Sequence, residues 1–243
     1  MSVTALASAE QARGLDAAAV RAGVSVDSLM ALAGFQCARL AQRLLASQGG
    51  DAGVAVLAGR GNNGSDSLGC ARHLSAWGHK VQVVVLADVD DPESNYARQI
   101  TAAMAAGARL RYHGEGLADA LEWALTGAGL IIDGLLGTGS SGPPRGMTAE
   151  AIRAINLAPA TVLAIDLPSG LDATSGDNAG GCVRADATVM LATAKSGCLA
   201  DAARPVVGQL WLADIGVPKG AYRAAGLTAP DFQVGDLERF AST

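Results

Sequence analysis

The chain has 243 residues, half of them hydrophobic, 17% charged and 4% aromatic, with 31 glycines and a net charge of −5. That apolar fraction excludes a disordered chain, the absence of a Gly-X-Y period excludes collagen, and no run of about 18 apolar residues exists to span a membrane. The acidic balance argues against nucleic acid or an anionic membrane as partner, because both demand a basic surface.

From Ser8 to about Ser47 the pattern is helical. Ser8 and Gln11 have capping-box spacing, and Ser25 to Asp27 can cap a second helix carrying Leu29, Leu32, Phe35, Leu40, Leu44 and Leu45. An apolar run at 54–59 then leads into a glycine-rich turn and a helix through LGCARHLSAWG. The rhythm repeats with strands at 81–87, 130–133, 161–166, 187–192 and 207–216, and helices at 94–107, after Gly116 and at 148–156. Strands apolar throughout, alternating with helices, require a sheet covered on both faces. The expectation is a Rossmann-like three-layer α/β/α fold: one domain over 1–243, a mostly parallel central sheet and an N-terminal helical extension. The segment from Lys219 onward reads as helix or loop.

Cys37, Cys70, Cys182 and Cys198 lie far apart in apolar surroundings and read as buried thiols of a reducing compartment. The N-terminus lacks a basic start followed by an apolar core, so no signal peptide is expected and the cytoplasm is the expected compartment.

In doubly wound sheets the ligand sits beyond the carboxyl ends of the strands. Three loops of this chain fall there. The first holds Gly59, Gly61 and Gly64 in G-x-G-x-x-G spacing, with Asp88 near the position of a ribose-binding acid, which on its own reads as a dehydrogenase. Asp66 opposes that reading, since it would repel a phosphate at the helix N-terminus. Asn62 and Asn63 suit left-handed or bridge backbone and a neutral ring, ribose or cation; the alternative is a plain turn with Asp66 as helix cap.

Asp133 ends an apolar strand, either as a site acid or as a loop anchor. The loop after it, with Gly137, Thr138, Gly139, Ser140, Ser141, Gly142 and Pro143, suits either phosphate binding or a wide crossover. Asp166 and Ser169 repeat the theme in the third loop. Asn63, Asp133 and Ser169 could supply hard oxygens to a monovalent cation, and no His/Cys set points to zinc or iron. Lys195 is the one lysine at a cleft-side strand end; a surface position is its alternative. His73, His79 and His113 read as helix-face or solvated histidines.

Taken together, NNGSDS, DGLLGTGSSGPPRG, DLPSGLDATSGD and ADIGVP occur in that order, with LMALAG at 29–34. This resembles the NAD(P)H-hydrate epimerase family, the YjeF N-terminal domain, over about residues 8–218. Its pattern is Asn-Asn-Gly-Gly-Asp-Gly, Asp-x-Leu-Phe-Gly-Thr-Gly-Leu-Ser-Gly-Pro, Asp-x-Pro-Ser-Gly-Leu-Asp and Ala-Asp-Ile-Gly-Ile-Pro.

The resemblance implies an isomerase that interconverts the R and S forms of hydrated NADH or NADPH. A separate NAD(P)H-hydrate dehydratase is its implied functional partner, and a homodimer through the N-terminal helices is a further expectation. It also implies substrate contacts at Asn62, Asn63, Gly64, Ser65, Asp66, the 137–143 loop and Asp166, and a potassium ion on Asn63, Asp133 and Ser169. Asp133 is the expected proton carrier, with Lys195 beside it in the catalytic set. Ser65 and Ser67 replace family glycines, Ala31 a glutamate, Leu136 a phenylalanine and Ser196 a proline. A serine at 65 would be strained if that position needed positive φ, and a side chain at 65 or 67 would narrow the pocket. Other readings are a diverged relative acting on another nucleotide-like or cyclic substrate, and a non-catalytic scaffold of the same fold.

Overall fold

A computed structural model describes residues 6–47, 52–178, 180–233 and 236–240. In chain order the elements are α1 (Ala9–Arg21), α2 (Val26–Ala46), β1 (Gly53–Ala58), α3 (Asn62–Ala76), β2 (Val81–Val85), α4 (Asn95–Ala105), β3 (Arg109–Tyr112) and α5 (Leu117–Leu125). There follow β4 (Ala128–Gly134), α6 (Gly146–Leu157), β5 (Thr161–Ile165), β6 (Ala187–Leu191), α7 (Arg204–Val207), β7 (Gln209–Ala213), α8 (Lys219–Ala224) and β8 (Leu237–Arg239). The segment after Lys219 therefore holds both a short helix and an edge strand.

The N-terminal caps act as the sequence predicts. Ser8 and Gln11 form a reciprocal capping box, and the Ser25 hydroxyl accepts the Ser28 N–H. The eight strands form one sheet in the order β3-β2-β1-β4-β5-β6-β7-β8, parallel except where β8 pairs antiparallel with β7. One core packs α1 to α4 and α8 on one face, with Leu15, Leu40, Leu68 and Ile132 fully enclosed. A second packs α5 and α6 on the other through Leu121, Ile131 and Ile155.

The chain leaves β1 toward β2 and β3 on one side and leaves β4 toward β5 and β6 on the other. The direction of winding thus reverses between β1 and β4, which opens a crevice at their carboxyl ends. The four described cysteines are free and buried, as their surroundings predict. Among the described residues no helix is long and apolar enough to cross a membrane.

Candidate active site

The cleft lies at that crevice, over the ends of β1, β4, β5 and β6. It measures about 540 Å³, within the range of small-molecule sites. Helices α1, α2 and α3 and the loops that follow β1, β4, β5, β6 and β7 wall it. Gly61 initiates α3 at φ 101°, a conformation that suits glycine, so Asn62 and Asn63 are the first helical residues. The left-handed or bridge backbone expected for the two asparagines is corrected accordingly. Asp66 sits a full turn into α3 and caps nothing.

Of the residues expected to contact substrate, Asn62, Asn63, Asp66, Gly137, Thr138, Gly139, Ser140 and Asp166 line this cleft, as does Lys195. Ser141, Gly142 and Pro143 line an adjoining depression of about 390 Å³ that shares Gly137 and Ser140. Gly64 and Ser65 do not reach either surface. Both are buried inside the packing of α3, and only Asp166 and Ala192 among the described non-glycine residues have positive φ, so Ser65 carries no backbone strain. Ser67 is fully buried with its hydroxyl donating to the Gly64 carbonyl at 2.8 Å. Neither serine narrows the cleft, which corrects that expectation.

Asp88 is likewise outside it. Its carboxylate lies 3.2 Å from the His113 ring at an exposed edge. The acid expected to hold a dehydrogenase ribose is therefore not at the cleft.

Asp166 and Lys195 form the charged centre of the site. Asp166 follows β5 with φ 67°, and Ala192 follows β6 with φ 59°, so two neighbouring strands end in left-handed turns. Such turns cost a non-glycine residue about 1–2 kcal/mol each, a strain typical of functional positions. Hydrogen bonds hold both in place: Asp166 N–H donates to the Val189 carbonyl at 2.8 Å, and the Tyr222 hydroxyl donates to the Ala192 carbonyl at 2.9 Å. The Lys195 ammonium donates to Asp166 Oδ1 and, at 2.7 Å, to the Leu191 carbonyl. Lys195 is 2% exposed, which settles its placement in the interior rather than on the surface.

Asp133 is placed differently. It is fully buried and absent from the cleft wall. Its carboxylate accepts the Ser169 N–H at 2.8 Å, the Ser169 hydroxyl at 2.6 Å and the Leu135 N–H at 3.2 Å. Burial pushes its carboxyl up to about 6, against those donors, which pull it down. A carboxylate so enclosed cannot meet a substrate in the cleft, so the role of proton carrier expected for it is corrected.

The predicted cation ligands do converge. Asn63 Nδ2 donates to the Leu136 carbonyl at 2.7 Å while Leu136 N–H donates to Ser169 Oγ at 2.8 Å, so Asn63, Ser169 and Asp133 gather around one residue. Asp133 has no basic side chain in ion-pair contact among the described residues. A buried carboxylate without a countercharge, beside an amide oxygen and a hydroxyl, fits a hard monovalent cation. No group of three His, Cys, Asp or Glu among the described residues offers a transition-metal site.

Three charged wall residues lay outside the sequence expectations. Arg13 and Asp16 on α1 both line the cleft, and Arg13 Nη1 donates to the Thr138 carbonyl at 2.6 Å, tying α1 to the glycine loop. Arg60 stands at the mouth, paired with Asp90 at 2.7 Å. The available signal was helical spacing, since Asp16 falls one turn from the buried Ala12 and Ala19 and so borders the packed stripe.

Asp66 is 7% exposed and its Oδ1 has no hydrogen-bond partner among the described residues. Burial first, then the Asp166 and Asp16 charges, push its carboxyl well above the usual range, against the pull of Lys195. Folded protein thus holds this proton at pH values where the unfolded chain has released it, and stability falls as pH rises from about 4. Asp66→Asn, which carries no charge at any pH, is expected to melt above wild type at pH 7.5 by more than about 2 °C and by less at pH 5. Thermal melts at the two pH values check this; an equal difference at both would refute it.

A doubly wound sheet with a cleft at its switch point, walled by glycine loops and the apolar residues of α1 and α2 and charged by aspartates around a buried lysine, defines a Rossmann-like α/β protein with a small-molecule ligand site. The family model described as YjeF-related protein N-terminus matches residues 26–197, and the chain belongs to that family. An NAD(P)H-hydrate epimerase of Dehalogenimonas lykanthroporepellens is 35% identical over 216 residues, spanning 88% of this chain and 83% of its own. One of Rhodopirellula baltica is 35% identical over 190 residues, 78% and 75% of the two chains. A bifunctional NAD(P)H-hydrate repair enzyme of Leishmania braziliensis is 37% identical over 88% of this chain, which spans only 37% of that longer protein. A yeast crystal structure superposes with TM-score 0.85 over 97% of this chain and all of its own, at 20% identity, a likeness of fold.

Proposed function

We propose that this protein interconverts the R and S epimers of hydrated NADH and NADPH. The observation that carries the reading is the cleft itself. It brings Asn62, Asp66, the 137–140 loop, Asp166 and Lys195 to one surface in a chain 35% identical to epimerases of comparable length. The glycine loop offers close backbone approach to the diphosphate, and Arg13 and Arg60 add positive charge at the wall and mouth. Asp166, its carboxylate oriented by Lys195 and the Leu191 N–H, is the acid–base group facing the hydrated ring. Ser65 and Ser67 lie behind the wall, so these departures leave the substrate-facing surface unaltered.

Incubating the protein with separated R and S hydrated NADH, and following both by chromatography beside a no-enzyme control, tests the reading. Acceleration of interconversion is expected, and none in either direction would overturn it.

Asn63, Asp133 and Ser169 are the residues that would hold a potassium ion. Its charge would balance Asp133 and fix the β4 and β5 loops at the cleft floor. An ion that binds only folded protein stabilises it by about 2.7 kcal/mol at one hundred times its Kd. Melting at pH 7.5 is therefore expected to rise by several degrees, at about 2–4 °C per kcal/mol, when potassium replaces tetramethylammonium at equal ionic strength. Asp133→Asn should abolish that difference; identical wild-type melts in the two salts would refute the ion.

The epimerase would act in the cytoplasm, together with an NAD(P)H-hydrate dehydratase activity. A homodimer through α2 is supported by Leu32 and Phe35, both exposed on it at 41% and 38%.

A further inference from the structure

Inversion at a carbon that bears a hydroxyl next to a ring nitrogen has a geometric demand. If the hydroxyl leaves and water returns through a planar cation, protons must be handled on both faces of the ring, and one carboxylate fixed on one side serves one face. The cleft carries carboxylates on separate walls. Asp166 comes from the end of β5, anchored by Lys195, while Asp16 comes from α1.

Asp16 has no evident structural duty. It stands exposed on the cleft-lining side of α1 and makes no hydrogen bond and no ion pair among the described residues. The helix that carries it is firmly placed. Ala7 pairs with Lys195 in a parallel bridge, its N–H donating to the Ala194 carbonyl at 2.8 Å, and Arg13 bonds the glycine loop. A second observation points to a ligand in the same space: the orphaned, buried Oδ1 of Asp66 at the wall.

We propose that Asp16 is the second acid–base group of this site, serving the ring face opposite the one that Asp166 serves. The inference rests on the epimerase reading.

The step balances as follows. The Asp16 carboxyl gives its proton to the C6 hydroxyl, the C6–O bond breaks with its electron pair leaving on water, and the ring nitrogen lone pair forms the N=C6 bond. A water on the other face adds to C6 as that π pair returns to nitrogen, and the Asp166 carboxylate takes the proton released. One water leaves and one enters, and exchange with solvent restores both acids. The opposite inversion exchanges their roles.

The environment suits an acid that is protonated part of the time near neutrality. Asp16 faces Asp66, Asp166 and Lys195, with Arg13 and Arg60 on the same cleft. Partial desolvation by the surrounding cleft raises its carboxyl above the usual range, Lys195 pulling it down and Asp166 adding to the rise, while its exposure to solvent moderates the shift.

The test uses the full chain and the separated epimers of hydrated NADH in ¹⁸O-water, with chromatography for configuration and mass spectrometry for label. Wild type is expected to gain one solvent oxygen per inversion. Asp16→Asn should slow inversion by at least about 100-fold while one epimer still exchanges its oxygen with retained configuration, faster than without protein. Asp166→Asn should show that retention in the other epimer, and Asp16→Glu should restore inversion to within about tenfold of wild type.

Three results would overturn the proposal: wild-type inversion without label, inversion by Asp16→Asn within about threefold of wild type, or loss of exchange in both epimers alike. Should Asp16→Asn fail to fold, the wild-type label and Asp16→Glu still decide. Failure of wild type to accelerate inversion at all is a separate outcome, which overturns the epimerase reading itself.

Discussion

Lys195→Ala is expected to cost about 3–5 kcal/mol of stability and to lower epimerase activity by at least about 100-fold. The lysine side chain is 3% exposed and that of Asp166 13%, so removing the cation leaves a carboxylate enclosed without its partner. Most of the loss would come from that abandoned charge rather than from the pair's net worth, because both ions lost their water on folding. A double variant separates the two. Lys195→Met with Asp166→Asn retains the packed stem and removes both charges, and should regain most of the stability while remaining inactive. Urea unfolding of the single and double variants measures this. A Lys195→Ala chain within about 1 kcal/mol of wild type would refute the account of a buried pair.

Gly64→Ala should be as damaging by a purely steric route. A Cβ at position 64 would stand 1.8 Å from the Gly59 carbonyl oxygen and 3.0 Å from the Tyr96 ring. A Cβ at Gly59 would stand 1.9 Å from the Leu135 carbonyl oxygen. The two carbonyl oxygens belong to the backbone just after β1 and just after β4, which cannot swing aside as a side chain can. The expected cost is about 3 kcal/mol, with loss of activity as α3 lifts from the strand ends and carries Asn62, Asn63 and Asp66 away. Gly139→Ala is the control. Among the described residues nothing lies within 4 Å of its added Cβ, so stability should stay within about 0.5 kcal/mol of wild type. Denaturant unfolding of both variants distinguishes a steric cause from a general intolerance of alanine in these loops.

The same glycines show why part of this molecule could be read directly from its residues. Gly59, Gly61 and Gly64 mark a strand, a turn and a close-packed helix because backbone sterics are local and specific to glycine. Their resemblance to a dinucleotide turn misleads for the same reason: the spacing reports helix-on-strand packing, and Asp88, which would complete a dehydrogenase, lies at another edge beside His113. Apolar strands, Ser8, Ser25 and the three strand-end loops were legible for equally local reasons, since burial on both faces, helix capping and chain reversal each leave a short-range mark. Convergence of Asn63, Asp133 and Ser169 followed from motif order together with the rule that strand ends share a cleft.

What local patterns could not decide was which of three acids in the strand-end motifs, one on α3 and two at the ends of β4 and β5, meets a ligand. Asp66, Asp133 and Asp166 look alike in sequence, each an aspartate in a glycine-rich loop or helix start. Only the tertiary structure buries Asp133 under Ser169 and leaves Asp166 at the wall with Lys195. Asp16 was still less visible, because a helix far along the chain from β5 and β6 reaches the cleft through the Ala7 and Arg13 contacts. The sequence by itself determined the layers, the parallel sheet and the loops that face the ligand, through periodicity and backbone sterics. The tertiary structure alone decided desolvation, countercharge and which wall each carboxylate occupies, because those depend on groups brought together from distant parts of the chain.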